Sequence, residues 1–262
     1  MNLAELFSLK GKVALVTGGG RGLGKFIATG LAEAGADLIL ASRKIKNLED
    51  TARELEEKYK VQALPIACDL TKVETIDTML LEAQKKFNHI DILVNNAGVT
   101  WGAPALEYPQ EKWDQLFDVN VRGLWIITQK VVRIMKNQGG GNIINISSIM
   151  SFRGFPDELQ PTIPYNPTKA AVNSLTMNLA TKLAPYNIRV NAIAPGFFRT
   201  NMTSYLEKPD FKKQYEATLS SISLGRFGEI DDIKGVAVFL ASAASSYMTG
   251  HVLVNDGGLL AR

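Results

Sequence analysis

Short apolar runs alternate with longer segments of helical spacing from one end of this chain to the other, and that alternation constrains the fold more than any single residue. Val13–Val16, Asp37–Ala41, Val61–Ala67, Ile90–Val94, Gly141–Ile146, Ile188–Ile193 and His251–Val254 are short, nearly continuously apolar and bounded by Gly, Asn, Asp or Pro. Strands buried on both faces have this character. Between them, Leu23–Ala34, Ile45–Tyr59, Val73–Phe87, Gln110–Asn137, Pro164–Ala184 and Ile230–Ala241 carry apolar residues at helical intervals. Strict strand–helix alternation predicts a doubly wound α/β fold, with one seven-stranded parallel sheet covered by helices on both faces. No low-complexity linker or internal repeat interrupts the 262 residues, so one domain is expected over 1–262. Loops at about 148–164 and 196–225 follow strands, where such sheets bind substrate.

The first apolar run ends in Thr17-Gly18-Gly19-Gly20-Arg21-Gly22-Leu23-Gly24. Gly18, Gly22 and Gly24 stand where a strand turns into a helix. Glycines there permit a tight turn, let the backbone approach a pyrophosphate and let the helix pack closely on the sheet. The spacing is not G-x-G-x-x-G, because Leu23 breaks every such register. Gly19 to Lys25 does read G-x-x-x-x-G-K, but Phe26 stands where a nucleotide-hydrolysing loop needs a hydroxyl for magnesium. A plain glycine turn is the other alternative. At the end of the second strand, Ser42-Arg43-Lys44 replaces the Asp or Glu that would accept ribose hydroxyls. An acid repels a 2′-phosphate, whereas Ser42, Arg43 and Lys44 can hold one, with Arg21 as a further cation. NADP(H) is expected ahead of NAD(H); solvated loop charges are the bland alternative.

A second cluster, Tyr165-Asn166-Pro167-Thr168-Lys169, follows Ile144-Asn145-Ile146-Ser147-Ser148. Residues four apart on a helix share a face, which sets Lys169 beneath the Tyr165 phenol. A free phenol, with a pKa of about 10, exchanges protons poorly at neutral pH. A nearby ammonium is expected to lower that value, making Tyr165 a proton donor to a carbonyl oxygen as hydride reaches the carbon. Ser148 can hydrogen-bond the same oxygen. Tyr108 and Lys112 repeat the spacing. No serine-tipped strand precedes them, and Pro109 marks a helix start, so this pair reads as a surface accident.

These residues resemble the short-chain dehydrogenase/reductase family over nearly the whole chain. The T-G-x-x-x-G-x-G pattern falls on Thr17, Gly18, Gly22 and Gly24, with Gly20 and Leu23 inside it. The resemblance implies a Rossmann-like fold and a catalytic set of Asn120, Ser148, Tyr165 and Lys169. Asn120 would hold a proton-relay water near the lysine, and Lys169 would also bind the nicotinamide ribose. It further implies cofactor contacts from Asp69 and Leu70 at the adenine, and from Asn96, Ala97 and Gly98 after the fourth strand. Pro195, Gly196, Phe198 and Thr200 complete that set near the nicotinamide amide. A homotetramer is implied, with a homodimer as the alternative. Ser147 stands beside Ser148 as a rival for its role. The 17 positions from Ser148 to Tyr165 exceed the usual spacing, so Arg153–Pro164 should bulge at the substrate mouth.

Composition narrows the partners. A net charge of +3 from 29 basic and 26 acidic residues gives no basic arm for nucleic acid. No apolar run is long enough to span a membrane. Met1–Phe7 lacks the pattern of a signal peptide, and the lone Cys68 excludes an internal disulfide and any cysteine-built metal centre, so a cytoplasmic protein without metal is expected. His89, His251 and Cys68 read as structural. Trp101, Met150, Phe152, Phe155, Phe198, Met202 and Tyr205 form either a self-packed lid or an apolar pocket. The expected substrate is a small carbonyl or alcohol: a 3-oxoacyl thioester first, since reductases of that substrate resemble the chain well. Asn255–Ala261 instead resembles sugar-acid dehydrogenases such as gluconate 5-dehydrogenase. A nucleotide-binding regulatory protein without turnover is the alternative of another class.

Overall fold

The computed structural model describes residues 1–157, 160–200 and 203–261. Among these, seven strands form one sheet: β1 (Val13–Thr17), β2 (Asp37–Ser42), β3 (Ala63–Ala67), β4 (Ile92–Asn95), β5 (Gly141–Ile146), β6 (Ile188–Pro195) and β7 (Val252–Asn255). Their order is β3-β2-β1-β4-β5-β6-β7, and every neighbouring pair is parallel. The doubly wound α/β fold expected from the alternation is therefore present. From β1 the chain winds outward through β2 and β3, then crosses back to β4 on the other side. Loops leaving β1 and β4 diverge there and open a crevice at the carboxyl ends of the strands.

Helices α1 (Leu3–Phe7), α2 (Gly22–Glu33), α3 (Ile45–Tyr59), α4 (Val73–Lys86), α5 (Gln110–Phe117), α6 (Leu124–Asn137), α7 (Tyr165–Leu183), α8 (Lys212–Ser221) and α9 (Ile230–Ala241) complete the regular structure. On one face Leu31 of α2, Leu55 of α3 and Leu240 of α9 pack on Val16, Leu40 and Ile144. On the other, Met79 of α4, Val131 of α6 and Leu179 of α7 pack on Leu15, Ile39 and Ile143. Successive strand residues thus enter opposite cores, which explains why the strands read as continuous apolar runs. None of the helices is long and apolar enough to cross a membrane.

Three features depart from the sequence reading, the first being the short helix α1, which was not anticipated. Gln110–Asn137 is not one α-helix, because a π-helical turn at Asp118–Gly123 separates α5 from α6. Such an insertion re-aims side chains without breaking the helical course. Helix α8 was not anticipated. It carries Tyr215 onto a small third cluster of Ile149, Leu206, Ile222, Phe227 and Leu259. Those residues follow the carboxyl ends of β5, β6 and β7 and cap that side of the crevice.

The strand tips are braced from inside. The Asn95 side-chain amide donates to Thr128 Oγ1 of α6 and to Asn145 Oδ1 of β5, both at 2.8 Å. Asn145 in turn donates to Thr176 Oγ1 of α7 at 2.9 Å. This buried polar chain fixes β4 and β5 against two helices, just below Asn96 and Ser148.

Candidate active site

A cleft of about 490 Å³ runs across the carboxyl ends of the strands. Its wall includes Gly18, Gly20, Arg21, Gly22, Leu23 and Gly24 after β1, then Ser42, Arg43 and Lys44 after β2, and Asp69 and Leu70 after β3. Asn96, Ala97 and Gly98 follow β4; Ser148, Tyr165 and Lys169 follow β5; Pro195, Gly196, Phe198 and Thr200 close the far side. Asn120 alone of the expected residues lies off the wall. Val99, Val119 and Thr203 also line the cleft and were not anticipated, since apolar or small loop residues carry no pattern of their own.

The glycine turn is shaped by close approach. Thr17 Oγ1 accepts the amides of Asn96 and Ala97, each at 3.0 Å, and Asn96 Nδ2 donates to Thr17 O at 2.9 Å. A Cβ at Gly24 would overlap the Gly18 carbonyl and crowd Asn96 Nδ2, so α2 can meet β1 this closely only without one. Gly22 has φ +54, and its missing side chain would face Thr200 across the cleft. The result is a helix start without a side chain at Gly22 or Gly24, with Thr200 opposite. Such a surface suits a pyrophosphate. The rival phosphate-loop reading fails here: Lys25 is off the wall, and its ammonium pairs with Glu54 at 2.6 Å.

At the β2 end, Arg21, Arg43 and Lys44 are exposed, and among the described residues none of them enters an ion pair. Ser42 Oγ donates to Lys44 O at 3.4 Å. Burial lifts the Asp69 carboxyl, but the Thr71 amide and hydroxyl, helped by the Arg43 and Lys72 charges, hold it below the usual carboxylate range. The glycine surface, the three cations and the cleft's course past the ends of β1, β2 and β3 together fit a dinucleotide bearing a 2′-phosphate.

At the opposite end the acid–base groups converge. Tyr165 opens α7, and its phenol faces the Ser148 hydroxyl. Ser148 Oγ also accepts the Met150 amide at 3.2 Å. Ser147 also borders the cleft, but its hydroxyl is turned to Lys169 O at 3.2 Å, with Ser151 Oγ at 3.4 Å. Lys169 Nζ donates to Ile146 O at 2.8 Å and sits 5.6 Å from the Tyr165 ring centroid. Pro167 falls in the first turn of α7, where its missing amide breaks no helical bond.

One expectation is corrected. Burial pushes the Tyr165 phenol up to about 12, with the Ser148 hydrogen bond only partly opposing it. Burial also pulls Lys169 down to about 8. The i,i+4 spacing brings phenol and ammonium together, but enclosure of both in the protein overrides their mutual effect. In this state Tyr165 holds its proton firmly, as a donor should before reaction.

Lys169 yields a stability prediction. Below pH 8 the ammonium is charged in both folded and unfolded chains, and the fold bears the full desolvation penalty. Between about 8 and 10.4 the folded chain sheds this proton while the unfolded chain keeps it, so stability rises with pH. Lys169→Met should therefore melt above the wild type at pH 7, by about 1–2 kcal/mol after loss of the Ile146 bond. The gap should narrow as pH rises from 8 to 10, measured by paired thermal melts. Below pH 10, Tyr165 is neutral in both states and does not contribute.

Asn120 sits in the π-turn, and its side chain is engaged. Asn120 Oδ1 accepts the Val99 amide at 2.8 Å, while Nδ2 donates to Val99 O at 2.9 Å and Thr168 Oγ1 at 3.2 Å. The amide therefore clamps the loop after β4. Of the apolar candidates, Phe155 and Tyr205 pack on the third cluster, while Met150 and Phe198 are buried. Trp101 and Phe152 stay exposed. Met202 lies outside the described residues. His89 pairs with Asp91 away from the cleft, and Cys68 is buried in the core beside Asp69.

The comparisons agree with this geometry. Residues 18–260 match the family model described as enoyl-(acyl carrier protein) reductase. The chain is 44% identical over 260 residues to the 2-dehydro-3-deoxy-D-gluconate 5-dehydrogenase of Bacillus subtilis, covering 99% of each protein. It is 39% identical over 251 residues to the 3-oxoacyl-[acyl-carrier-protein] reductase of Aquifex aeolicus, covering 96% of this chain and 98% of the other. Among solved structures, a Burkholderia cenocepacia gluconate 5-dehydrogenase in complex with NADP and tartrate superposes with a TM-score of 0.91 at 35% identity, covering 100% of both chains. The parallel sheet, the glycine turn and full-length similarity to named dehydrogenases and reductases together make this chain a member of the short-chain dehydrogenase/reductase family.

Proposed function

We propose that the protein is an NADP(H)-dependent oxidoreductase that reduces a ketone to a secondary alcohol and runs reversibly, with a 3-oxoacyl thioester as substrate. One observation carries this reading. A single cleft joins the Ser42–Lys44 end, rich in uncommitted cations, to the end where Ser148, Tyr165 and Lys169 meet. When bound, the reduced nicotinamide supplies a hydride to the carbonyl carbon. Tyr165 gives its proton to the carbonyl oxygen, and Ser148 hydrogen-bonds that oxygen as charge develops. The Lys169 ammonium stabilises the phenolate left behind and holds the cofactor ribose. Asn120 keeps the Val99 loop in place, so it acts as a positioning residue.

Charge favours the thioester. Among the described wall residues at the Tyr165 end, Val99, Thr100, Ser148 and Gly196 offer no cation beyond Lys169 for a substrate carboxylate. A sugar-acid dehydrogenase is the second reading, supported by the full-length similarity to the Bacillus subtilis enzyme. Family membership also supports a homotetramer in the cytoplasm; light scattering would distinguish it from a dimer.

The cofactor assignment is tested by titration. NADPH should bind more tightly than NADH, and Arg43→Ala should weaken NADPH about tenfold while leaving NADH nearly unchanged, as loss of one charge-assisted contact requires. Tighter binding of NADH by the wild type would overturn it.

A further inference from the structure

We infer that Tyr108 and Lys112 are positioning residues that fix the Trp101 indole as the outer wall of the substrate mouth, where it receives the apolar chain of an acyl substrate. This deepens the acyl reading above and rests on it. The Tyr108 hydroxyl donates to Trp101 O at 3.0 Å, and Lys112 Nζ lies 4.5 Å from the centre of the Trp101 ring. One partner holds the backbone and the other the ring. Tyr108 stands just before α5 and Lys112 lies in its first turn, so the second Tyr-x-x-x-Lys pair has a shared target.

The place of that target gives the clamp its meaning. Val99 and Thr100 line the cleft, and Trp101 is two residues past Val99, within about 7 Å along the chain. Its loop is laced to the segment that links Ser148 to Tyr165. Ala103 N donates to Pro161 O at 2.8 Å, and Ala105 N donates to the Asp157 carboxylate at 3.0 Å. On that opposing segment Phe152 and Ile163 are 51% and 47% exposed, and Trp101 itself is 47% exposed. A residue held at backbone and ring yet left half uncovered is a prepared surface. Three exposed apolar side chains on laced loops make a rim that a chain extending from the ketone would cover. The Lys112 ammonium over the ring fixes its orientation by cation–π attraction.

The test compares acetoacetyl and 3-oxodecanoyl thioesters with NADPH. Trp101→Ala should raise KM for the longer substrate about tenfold more than for the shorter, with much smaller changes in kcat. Tyr108→Phe and Lys112→Met should each reproduce part of that bias, roughly threefold, whereas Lys112→Arg should keep the wild-type KM ratio. In a Trp113→Phe, Trp125→Phe background, quenching of Trp101 emission by the 3-oxodecanoyl thioester should weaken when Tyr108 or Lys112 is replaced. An equal change of KM for both chain lengths would overturn the assignment while leaving the acyl reading intact. A wild type that reduces neither thioester yet turns over a keto sugar acid would overturn both, and the failure would appear in the wild type, before any variant.

Discussion

Tyr165→Phe should lower kcat by about 10²–10⁴-fold while changing NADPH affinity less than about twofold. The substitution deletes one oxygen and keeps the ring, so the packing at the start of α7 survives. What disappears is the hydroxyl that faces Ser148 and retains its proton up to about 12. Ser148 cannot take over as donor with comparable strength, because an alkyl hydroxyl is a far weaker acid than a phenol. Steady-state kinetics beside a cofactor titration would separate chemistry from binding. Retention of most activity would mean that the proton comes from elsewhere.

Gly24→Ala is the second large effect. The added methyl would overlap the Gly18 carbonyl, and that oxygen belongs to a backbone already pinned by the Gly18 amide donating to Ala41 O at 2.7 Å. Helix α2 must then retreat from β1, at a cost of about 1–3 kcal/mol. The helix start moves with it, so dinucleotide affinity should fall by about 100-fold, the equivalent of ~2.8 kcal/mol. Gly235→Ala supplies the control. Gly235 lies on the exposed side of α9 with nothing within 4 Å of an added Cβ, and there alanine should stabilise by about 1 kcal/mol. If both substitutions behaved alike in melts and cofactor titrations, close approach at the turn would not be the reason for Gly24.

The legible part of the fold was the part written in local periodicity. Apolar runs and their Gly or Asn boundaries locate the strands, because each strand is buried on both faces. The π-turn at Asp118–Gly123 was not legible, since one extra residue per turn barely disturbs a helical pattern. Its physical setting is tertiary: a side chain at Gly123 would strike Leu70. Helix α8 escaped because its packing rests on Tyr215 and Thr218, too few apolar positions for a periodic signal.

The candidate site shows the same division. Spacing alone put Tyr165 over Lys169 and brought the glycine turn to a helix start. Spacing did not reveal how far burial would raise the phenol and depress the lysine, because enclosure depends on the loops that fold over them. Nor did it show that Asn120 would clamp Val99, or that Tyr108 and Lys112 would both turn to Trp101. Those contacts join residues through loops whose course no local pattern specifies.

The central claim is that one cleft couples an NADPH site to proton donation by Tyr165. The most direct test mixes the wild-type protein with NADPH and a ketone panel containing a 3-oxoacyl thioester and 5-ketogluconate, following loss of NADPH absorbance and formation of product. NADPH should be consumed in equal amount to the hydroxy product formed, with the thioester the better substrate and NADH the poorer donor. Binding of NADPH with no oxidation by any ketone in the panel would contradict it and identify a nucleotide-binding protein without turnover.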